Sequence, residues 1–195
     1  MTKKVILVHG WGGNPENNWF PWLKKNLEEK DFEVIVPKMP NAEEPEINSW
    51  VEKLREVSGD VNENVYFIGH SIGCQTIMRY LEQLPAGSKV GGVIFVAGFF
   101  NLPNLETDEE KEIAKPWLET PIDTDKIKRI TNDIVAVFSD DDPDVPLDDS
   151  KLFQERLGAK IVIEHEKEHF SDDAGIKELP IVLNEFFVMA GMDGN

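Results

Sequence analysis

Six short apolar runs, rich in valine, isoleucine and phenylalanine, alternate along this chain with amphipathic segments of helical spacing. Runs of this kind are typical of parallel strands that are buried on both faces. Because parallel strands need crossover connections, the alternation predicts an α/β fold, with a mostly parallel sheet of about six strands and helices on both faces. The predicted strands are 4–8, 32–36, 64–68, 90–96, 133–138 and 159–164, and the predicted helices are 19–30, 48–57, 72–84, 148–157 and 175–189.

The length of the chain suits a single domain. Its 195 residues, 41% of them hydrophobic, are enough to bury a sizeable core. Since no repeat, low-complexity segment or linker divides the sequence, we expect one domain over residues 1–190 and a short tail, 191–195. Residues 98–130 are the least regular part and contain three prolines. We expect them to form short helices over the sheet edge, with a minimal lid and no large cap.

Charge and cysteine content restrict the partners and the compartment. The formal net charge of −17 disfavours nucleic acids and anionic membranes as partners, because both would be repelled. Cys74 is the only cysteine, so no internal disulfide is possible. The apolar stretch near the N-terminus is too short for a signal peptide, and no run approaches the length of a membrane span. Together these features predict a cytoplasmic protein.

The segment Gly69-His70-Ser71-Ile72-Gly73 follows a predicted strand and precedes a predicted helix. This is the context in which G-x-S-x-G forms a nucleophile elbow. Glycine is needed on both sides because the tight turn crowds the backbone. The turn exposes the Ser71 hydroxyl and leaves the Ile72 N–H at a helix N-terminus, where it can donate to an oxyanion. The pattern also occurs by chance in plain turns, but its context favours a nucleophile.

A second glycine-rich loop, His9-Gly10-Trp11-Gly12-Gly13-Asn14, follows the first strand. It lacks the Gly-Lys-Ser/Thr sequence that a phosphate-binding P-loop requires. In open parallel sheets, functional groups gather beyond the carboxyl ends of the strands. The loop is therefore predicted to supply the second oxyanion donor, the Trp11 N–H, with an ordinary glycine turn as the alternative.

A serine nucleophile needs a histidine base, and the histidine needs a carboxylate to fix its tautomer. Four aspartates follow the fifth predicted strand. Asp142 is the preferred partner, because Pro143 biases it towards an extended conformation and so fixes its side-chain direction. Asp141 and Asp144 remain alternatives.

The choice of base is among four histidines. His9 and His70 lie in the two glycine loops, where we interpret them as turn or packing residues. His165 and His169 follow the last strand, which gives the chain order Ser, Asp, His. His169 is preferred because a four-residue loop lets it reach back over the sheet, whereas His165 comes directly at the strand end.

The same stretch permits a different class of enzyme. Residues 165–169 fit H-E-x-x-H and also its inverted form, which would make His165 and His169 zinc ligands. Zinc binding by that motif requires a helix, so that both histidines share one face. The β-branched run before the motif favours a strand leading into a loop instead. A zinc metallohydrolase is therefore the least favoured hypothesis, and no metal is expected.

Several further segments carry a resemblance to a known family: 19–25, 38–40, Trp50, 69–71, 115–117, 141–143 and 169–170. Over roughly residues 3–187 the chain resembles the α/β-hydrolases, and more narrowly the small serine hydrolases typified by the retinoblastoma-binding protein called nine. The resemblance implies Ser71, Asp142 and His169 as a catalytic triad. Glu168 stands where the family usually has glycine. The L-x-C-x-E motif is absent, so no retinoblastoma-type pocket protein is expected as a partner.

The predicted reaction is acyl transfer through a covalent intermediate. His169 accepts the Ser71 proton, Asp142 orients His169, and the amides of Trp11 and Ile72 stabilise the oxyanion. No cofactor is required, and the expected substrate is a small ester, thioester or amide. A non-catalytic interaction module on the same fold is the alternative, because a fold alone does not confer activity.

The site is predicted to be shallow and acidic. Two or three of the five tryptophans are expected to be structural, because aromatic residues at helical spacing usually belong to the core. Phe99, Phe100 and Trp117 are expected to face the site. Such a site favours short acyl groups and repels anionic substrates.

Overall fold

Residues 2–192 are described by the computed structural model, and they contain every predicted strand. The strands are β1 (Lys4–Val8), β2 (Glu33–Ile35), β3 (Val65–His70), β4 (Gly92–Val96), β5 (Ile134–Ser139) and β6 (Lys160–Glu164). They form one sheet in the order β2-β1-β3-β4-β5-β6, and every pair in it is parallel. All carboxyl ends therefore lie along one edge, where the loops that follow β1, β3, β5 and β6 meet.

Seven helices occur within residues 2–192, and five of them correspond to predicted ones. They are α1 (Phe20–Glu28), α2 (Ile47–Ser58), α3 (Ile72–Glu82), α4 (Asp108–Glu119), α5 (Thr124–Ile130), α6 (Asp149–Leu157) and α7 (Pro180–Met189). The irregular segment 98–130 contains the expected short helices, α4 and α5. None of the seven has both the length and the apolar character needed to cross a bilayer.

The start predicted for the last helix was wrong by five residues, since α7 begins at Pro180 and not at residue 175. Gly175 has a φ of +75°, which an α-helix does not accommodate. Pro180 occupies the first turn of α7, where its missing N–H costs no hydrogen bond. Residues 193–195 of the predicted tail lie outside the described residues, and the boundary at 190 stays a prediction.

The sheet is covered on both faces. Along β1, Val5 and Leu7 pack against α1 and α7, whereas Ile6 and Val8 pack on the side of α2, α3, α5 and α6. This alternation follows from the two-residue period of a strand. Full burial of such a side chain contributes roughly 1.5–3 kcal/mol relative to exposure. The α/β fold predicted from the apolar runs, a parallel sheet of six strands with helices on both faces, is confirmed.

Helix α4 is fixed at both ends. At its start, the Thr107 hydroxyl accepts from the Glu110 N–H while the Glu110 carboxylate accepts from the Thr107 N–H, which is a capping box. At its end, the buried guanidinium of Arg79 donates to the carbonyls of Trp117 and Thr120 at 2.8 and 3.0 Å. Burial lowers the pKa of Arg79. A cation favours the carboxyl end of a helix, so Arg79 anchors α4 to α3.

We expect Arg79→Met to reduce the free energy of unfolding by about 2 to 3 kcal/mol, because two helix-end carbonyls lose a charged donor. Lys25→Met is the control, since Lys25 is exposed on α1 and only 4.0 Å from Glu29. Its effect should stay within about 0.5 kcal/mol. Urea denaturation followed by circular dichroism measures both, and equal losses would contradict the anchoring role.

Candidate active site

Ser71 lies in a sharp turn between β3 and α3. Its φ of +53° and ψ of −121° are unusual for a residue with a side chain. A Cβ on Gly73 would lie 2.3 Å from the Val8 carbonyl oxygen, and one on Gly69 would lie 2.8 Å from the Cys74 nitrogen. Gly73 therefore allows α3 to approach β1, and Gly69 allows the start of α3 to pack against β3, as the G-x-S-x-G pattern predicts.

The structure brings His169 and Asp142 together. The His169 Nδ1 lies 2.9 Å from Asp142 Oδ2 and 3.1 Å from Oδ1. The Asp142 side chain is 2% exposed, and its Oδ1 also accepts the N–H groups of Asp144 and Val145. Asp144, one of the alternatives, is farther away, with Oδ2 at 3.8 Å. An Nδ1–H that donates to Asp142 leaves Nε2 as the acceptor of the ring.

Ser71 and His169 line the same cavity, whose volume is about 640 Å³. No hydrogen bond joins the Ser71 hydroxyl to the His169 ring among residues 2–192. Such contacts are often long in unliganded enzymes and shorten in the substrate complex. Most of the remaining wall comes from the loop after β1 and from the segments before α4 and after His169, namely 10–13, 17–18, 102, 104–106 and 171–173. Glu43, His70, Glu110 and Asp144 complete it.

The cavity wall is acidic. Six carboxylate side chains line it: Glu43, Glu106, Glu110, Asp144, Asp172 and Asp173. Neither lysine nor arginine contributes to the wall within the described part of the chain. Two of the carboxylates are held in place, because Glu110 accepts backbone N–H groups at the start of α4 and Asp172 accepts the Asn18 N–H at 2.7 Å. The potential in the cavity is therefore negative.

His9 orders the loop that follows β1. Its Nε2 accepts the Met39 N–H at 3.1 Å, so its Nδ1–H donates to the Gly10 carbonyl at 2.8 Å. The Gly13 N–H donates to the same carbonyl at 3.2 Å. Burial lowers the pKa of His9, which favours this neutral form. Because C=O and N–H point in opposite directions across a trans peptide, fixing the Gly10 carbonyl also fixes the Trp11 N–H.

Two backbone N–H groups next to Ser71 are unpaired. Within residues 2–192, the N–H groups of Trp11 and Ile72 donate to no backbone or side-chain acceptor outside regular helix and strand pairing. Ile72 is the first residue of α3, where N–H groups have no partner inside the helix. A Cβ on Gly10 would lie 3.3 Å from the Ser71 Cβ, so the Gly10–Trp11 peptide is adjacent to the serine. These are the donors predicted for an oxyanion.

His70 contacts the backbone of His169, which sequence reasoning missed. Its Nε2–H donates to the His169 carbonyl at 2.8 Å, and the ring centroids are 4.9 Å apart. Burial, followed by the charge of His169, lowers the pKa of His70 to about 3, so the ring is neutral. The two residues are 99 positions apart, and no local pattern could have indicated the contact.

His165 lies apart from the cavity. It is exposed, and its Nδ1 lies 2.6 Å from Asp140. Residues 165–169 form a loop after β6, so the helix that H-E-x-x-H requires is absent. One group of possible metal ligands occurs among residues 2–192, with ligand atoms within 4.8 Å of one another: Asp142, Asp144 and His169. Within this group, the His169 ring and the Asp142 carboxylate already contact each other.

The prediction that Phe99, Phe100 and Trp117 face the site was wrong. Phe99 and Trp117 are buried in the core, and Phe100 packs on Phe153. Asp149 accepts the N–H groups that follow Phe99 and turns this segment inwards. The apolar side chains that line the cavity are instead Trp11, Leu102 and Leu105. Three tryptophans are structural, as expected: Trp19, Trp50 and Trp117.

We expect His70→Gln to make stability less sensitive to acid. The folded-state pKa of about 3 lies below the unfolded value near 6.5, so the neutral ring stabilises the fold above pH 6.5. This contribution falls by about 1.4 kcal/mol for each pH unit below 6.5, until the pH reaches the folded-state pKa. Between pH 6.5 and 5, the wild type should lose about 2 kcal/mol more than the variant in urea denaturation. Parallel pH dependences would contradict the buried neutral state.

Comparison with known proteins identifies the family. The family model for serine hydrolases matches residues 5–187. YdeN of Bacillus subtilis strain 168, which is named as a hydrolase, is 34% identical over 183 residues, or 93% of each chain. Serine hydrolase RBBP9 of Rattus norvegicus is 28% identical over 173 residues, or 88% of each chain. The crystal structure of the B. subtilis ydeN gene product matches with a TM-score of 0.90 and 31% identity, covering 97% of this chain and all of that one. These matches confirm the resemblance stated from the sequence: the chain belongs to the serine hydrolase family.

Proposed function

We propose that the protein hydrolyses small esters, thioesters or amides, with Ser71 as nucleophile, His169 as base and Asp142 as the orienting carboxylate. The observation that carries this proposal is the partly buried contact between His169 Nδ1 and Asp142, at a cavity that also contains Ser71. A serine in a strained turn, a histidine with one free ring nitrogen and a buried carboxylate are the three parts of a hydrolytic triad.

The mechanism follows from the available atoms. His169 Nε2 accepts the proton of Ser71 Oγ as that oxygen attacks the substrate carbonyl. The imidazolium then gives the proton to the leaving group, which departs and leaves Ser71 acylated. Water, deprotonated by the same Nε2, hydrolyses the acyl-enzyme and restores the serine. Asp142 keeps Nδ1 protonated throughout and stabilises the imidazolium.

We assign the oxyanion donors to the N–H groups of Trp11 and Ile72. Both are adjacent to Ser71, and neither has a competing acceptor among the described residues outside regular backbone pairing. The His9 contact to the Gly10 carbonyl supports the first donor by fixing its peptide plane. The start of α3 supports the second, because helix N-termini favour negative charge. Donors fixed in this way need no reorganisation when the charge develops.

The cavity wall supports a small and uncharged acyl group. Its apolar part is limited to Trp11, Leu102 and Leu105, which offers little surface to a long alkyl chain. The six carboxylates disfavour anionic substrates. Carboxylesterase-like activity on short acyl esters is therefore the specificity that we propose.

A non-catalytic interaction module is the second candidate, and the site argues against it. Such a module has no use for a serine at an unfavourable φ or for a histidine held by a buried aspartate. A zinc metallohydrolase built on His165 and His169 has still less support, because each histidine binds a different aspartate. Chelator treatment of the purified protein should therefore leave ester hydrolysis unchanged.

Partners and location stay predictions from the sequence. The net charge of −17 still disfavours nucleic acids and anionic membranes. The absence of L-x-C-x-E still argues against a retinoblastoma-type pocket protein, and the single cysteine still favours the cytoplasm.

Ser71→Ala should abolish labelling by a fluorophosphonate probe and lower kcat for a short ester by about 10⁴- to 10⁶-fold, because the members of a triad act as a unit. His169→Ala should behave alike. His165→Ala is the matched control, and it should keep most of the activity because His165 lies outside the cavity. Full labelling of the Ser71→Ala protein would remove Ser71 from the mechanism.

Asp142→Asn should lower kcat by about 10⁴-fold, because the amide permits the wrong imidazole tautomer. Asp140→Asn makes the same change two residues away, where the carboxylate binds the exposed His165. We expect that variant to keep nearly full kcat. Steady-state kinetics with p-nitrophenyl acetate compares the two, and similar losses would show that the assignment of the carboxylate is wrong.

Substrate preference should follow both size and charge. We expect kcat/KM for p-nitrophenyl esters of butyrate or shorter acids to exceed that for laurate by about tenfold or more, because the cavity offers little apolar surface. A neutral short ester should likewise be preferred over an ester of similar size with a free carboxylate. A tenfold preference for laurate would instead indicate a deep apolar tunnel.

A pair of variants isolates the charge effect. Glu43→Gln removes a carboxylate from the cavity wall and should raise the relative rate for the anionic ester roughly two- to fivefold. Glu155→Gln removes the same charge from α6, outside the cavity, and should leave the ratio unchanged. Equal effects would trace the discrimination to net charge alone.

A further inference from the structure

The loop that carries His169 has an unusual backbone. Three of its residues with side chains have left-handed φ values, at alternate positions: Glu166 at +53°, Glu168 at +45° and Phe170 at +55°. This region favours glycine, because a Cβ crowds the backbone there. Glu168 immediately precedes His169, so its conformation determines the direction in which the imidazole leaves the chain. Other contacts must stabilise the loop in this form.

Side chains from the end of β5 supply those contacts. Asp141 Oδ1 accepts the Glu168 N–H at 2.8 Å and the Ser139 hydroxyl at 2.6 Å. The Ser139 Oγ in turn accepts the Lys167 N–H at 3.0 Å. The hydrogen bond from Ser139, followed by that from the Glu168 N–H, lowers the pKa of Asp141, so the carboxylate is ionised at neutral pH. The last two backbone N–H groups before His169 are therefore both held by this pair.

The other side of His169 is fixed independently. His70 donates to the His169 carbonyl, and the ring of Phe170 is fully buried. On the N-terminal side of the histidine, Asp140 accepts the Glu166 N–H, and the contact nearest to His169 is the one from the Glu168 N–H to Asp141. Asp141 itself does not line the cavity, so it has no direct contact with a substrate there.

We propose that Asp141 is a positioning residue for His169: its carboxylate holds Glu168 in the left-handed conformation that aims the imidazole at Ser71. The inference rests on the proposed function, because the direction of the His169 ring matters for catalysis only if His169 is the base for Ser71. It also separates three consecutive aspartates by role. Asp140 binds His165 and accepts the Glu166 N–H, Asp141 holds the Glu168 N–H, and Asp142 contacts the His169 ring.

The test asks whether one substitution lowers the activity and whether a second substitution restores it. Asp141→Ala should lower kcat for p-nitrophenyl acetate, and the rate of fluorophosphonate labelling at Ser71, by roughly 10- to 100-fold with little change in KM, because small misplacements of a catalytic group cost about this much. Asp141→Asn keeps the acceptor oxygen and should retain most of the activity. Adding Glu168→Gly to Asp141→Ala should restore kcat to within about threefold of wild type, since glycine adopts the left-handed conformation unaided.

Asp140→Ala is the matched control, and it should leave kcat within about threefold of wild type, because its side-chain partner is exposed and the N–H that it accepts, that of Glu166, lies three residues before His169. Wild-type kcat in Asp141→Ala would overturn the inference, and so would a loss that Glu168→Gly does not restore. If Asp141→Ala does not fold, Glu168→Val and Glu168→Gly decide the matter. Valine should lower kcat, because a β-branched residue is strongly disfavoured at positive φ, and equal activity of the two variants would overturn the inference.

The proposed function can fail separately from this inference. A wild-type protein that the probe does not label at Ser71 would reject the hydrolase mechanism and, with it, the basis of the positioning role. A wild type that is labelled at Ser71, together with Asp141 variants of unchanged kcat, would reject the positioning role alone.

Discussion

The close contact between α3 and the end of β1 is the constraint on which the site depends. At Gly73 the helix lies so near the Val8 carbonyl that no side chain fits between them. This approach brings the first turn of α3 beside the loop that follows β1. The Ile72 N–H and the Gly10–Trp11 peptide therefore come to the same place, next to Ser71. Neither glycine loop alone could supply both of the proposed oxyanion donors, so the proposed chemistry depends on the packing of this helix on this strand.

A second consequence of the parallel sheet is that distant loops can order one another. The loop after β5 holds the loop after β6 through Ser139 and Asp141, and His70 at the end of β3 holds the His169 carbonyl. The Met39 N–H, beyond β2, fixes the ring of His9. His169 and His9 are thus oriented by residues from neighbouring loops and strand ends, in addition to contacts within their own loops. Such cross-support is what preorganised sites require.

These long-range contacts also separate what could be predicted from what could not. The strands were predictable because buried parallel strands are continuously apolar, and the elbow was predictable because its glycines are a local steric requirement. Asp142 was chosen for its following proline, and it does contact His169. In contrast, the roles of Asp140 and Asp141 depend on contacts with the N–H groups of Glu166 and Glu168, which are more than 20 residues away in sequence. The same holds for Phe99, which turns inwards because Asp149, 50 residues later, binds the backbone beside it.

The carboxylates of the cavity wall bear on the release of product as well as on the binding of substrate. In the reaction proposed above, hydrolysis of a neutral ester produces an acid that ionises at neutral pH, so a neutral substrate gives an anionic product inside a cavity lined by carboxylates. Repulsion then favours departure of the acid product, and it opposes the re-entry of that acid from solution. The electrostatics of the wall are therefore expected to weaken product inhibition by the acid.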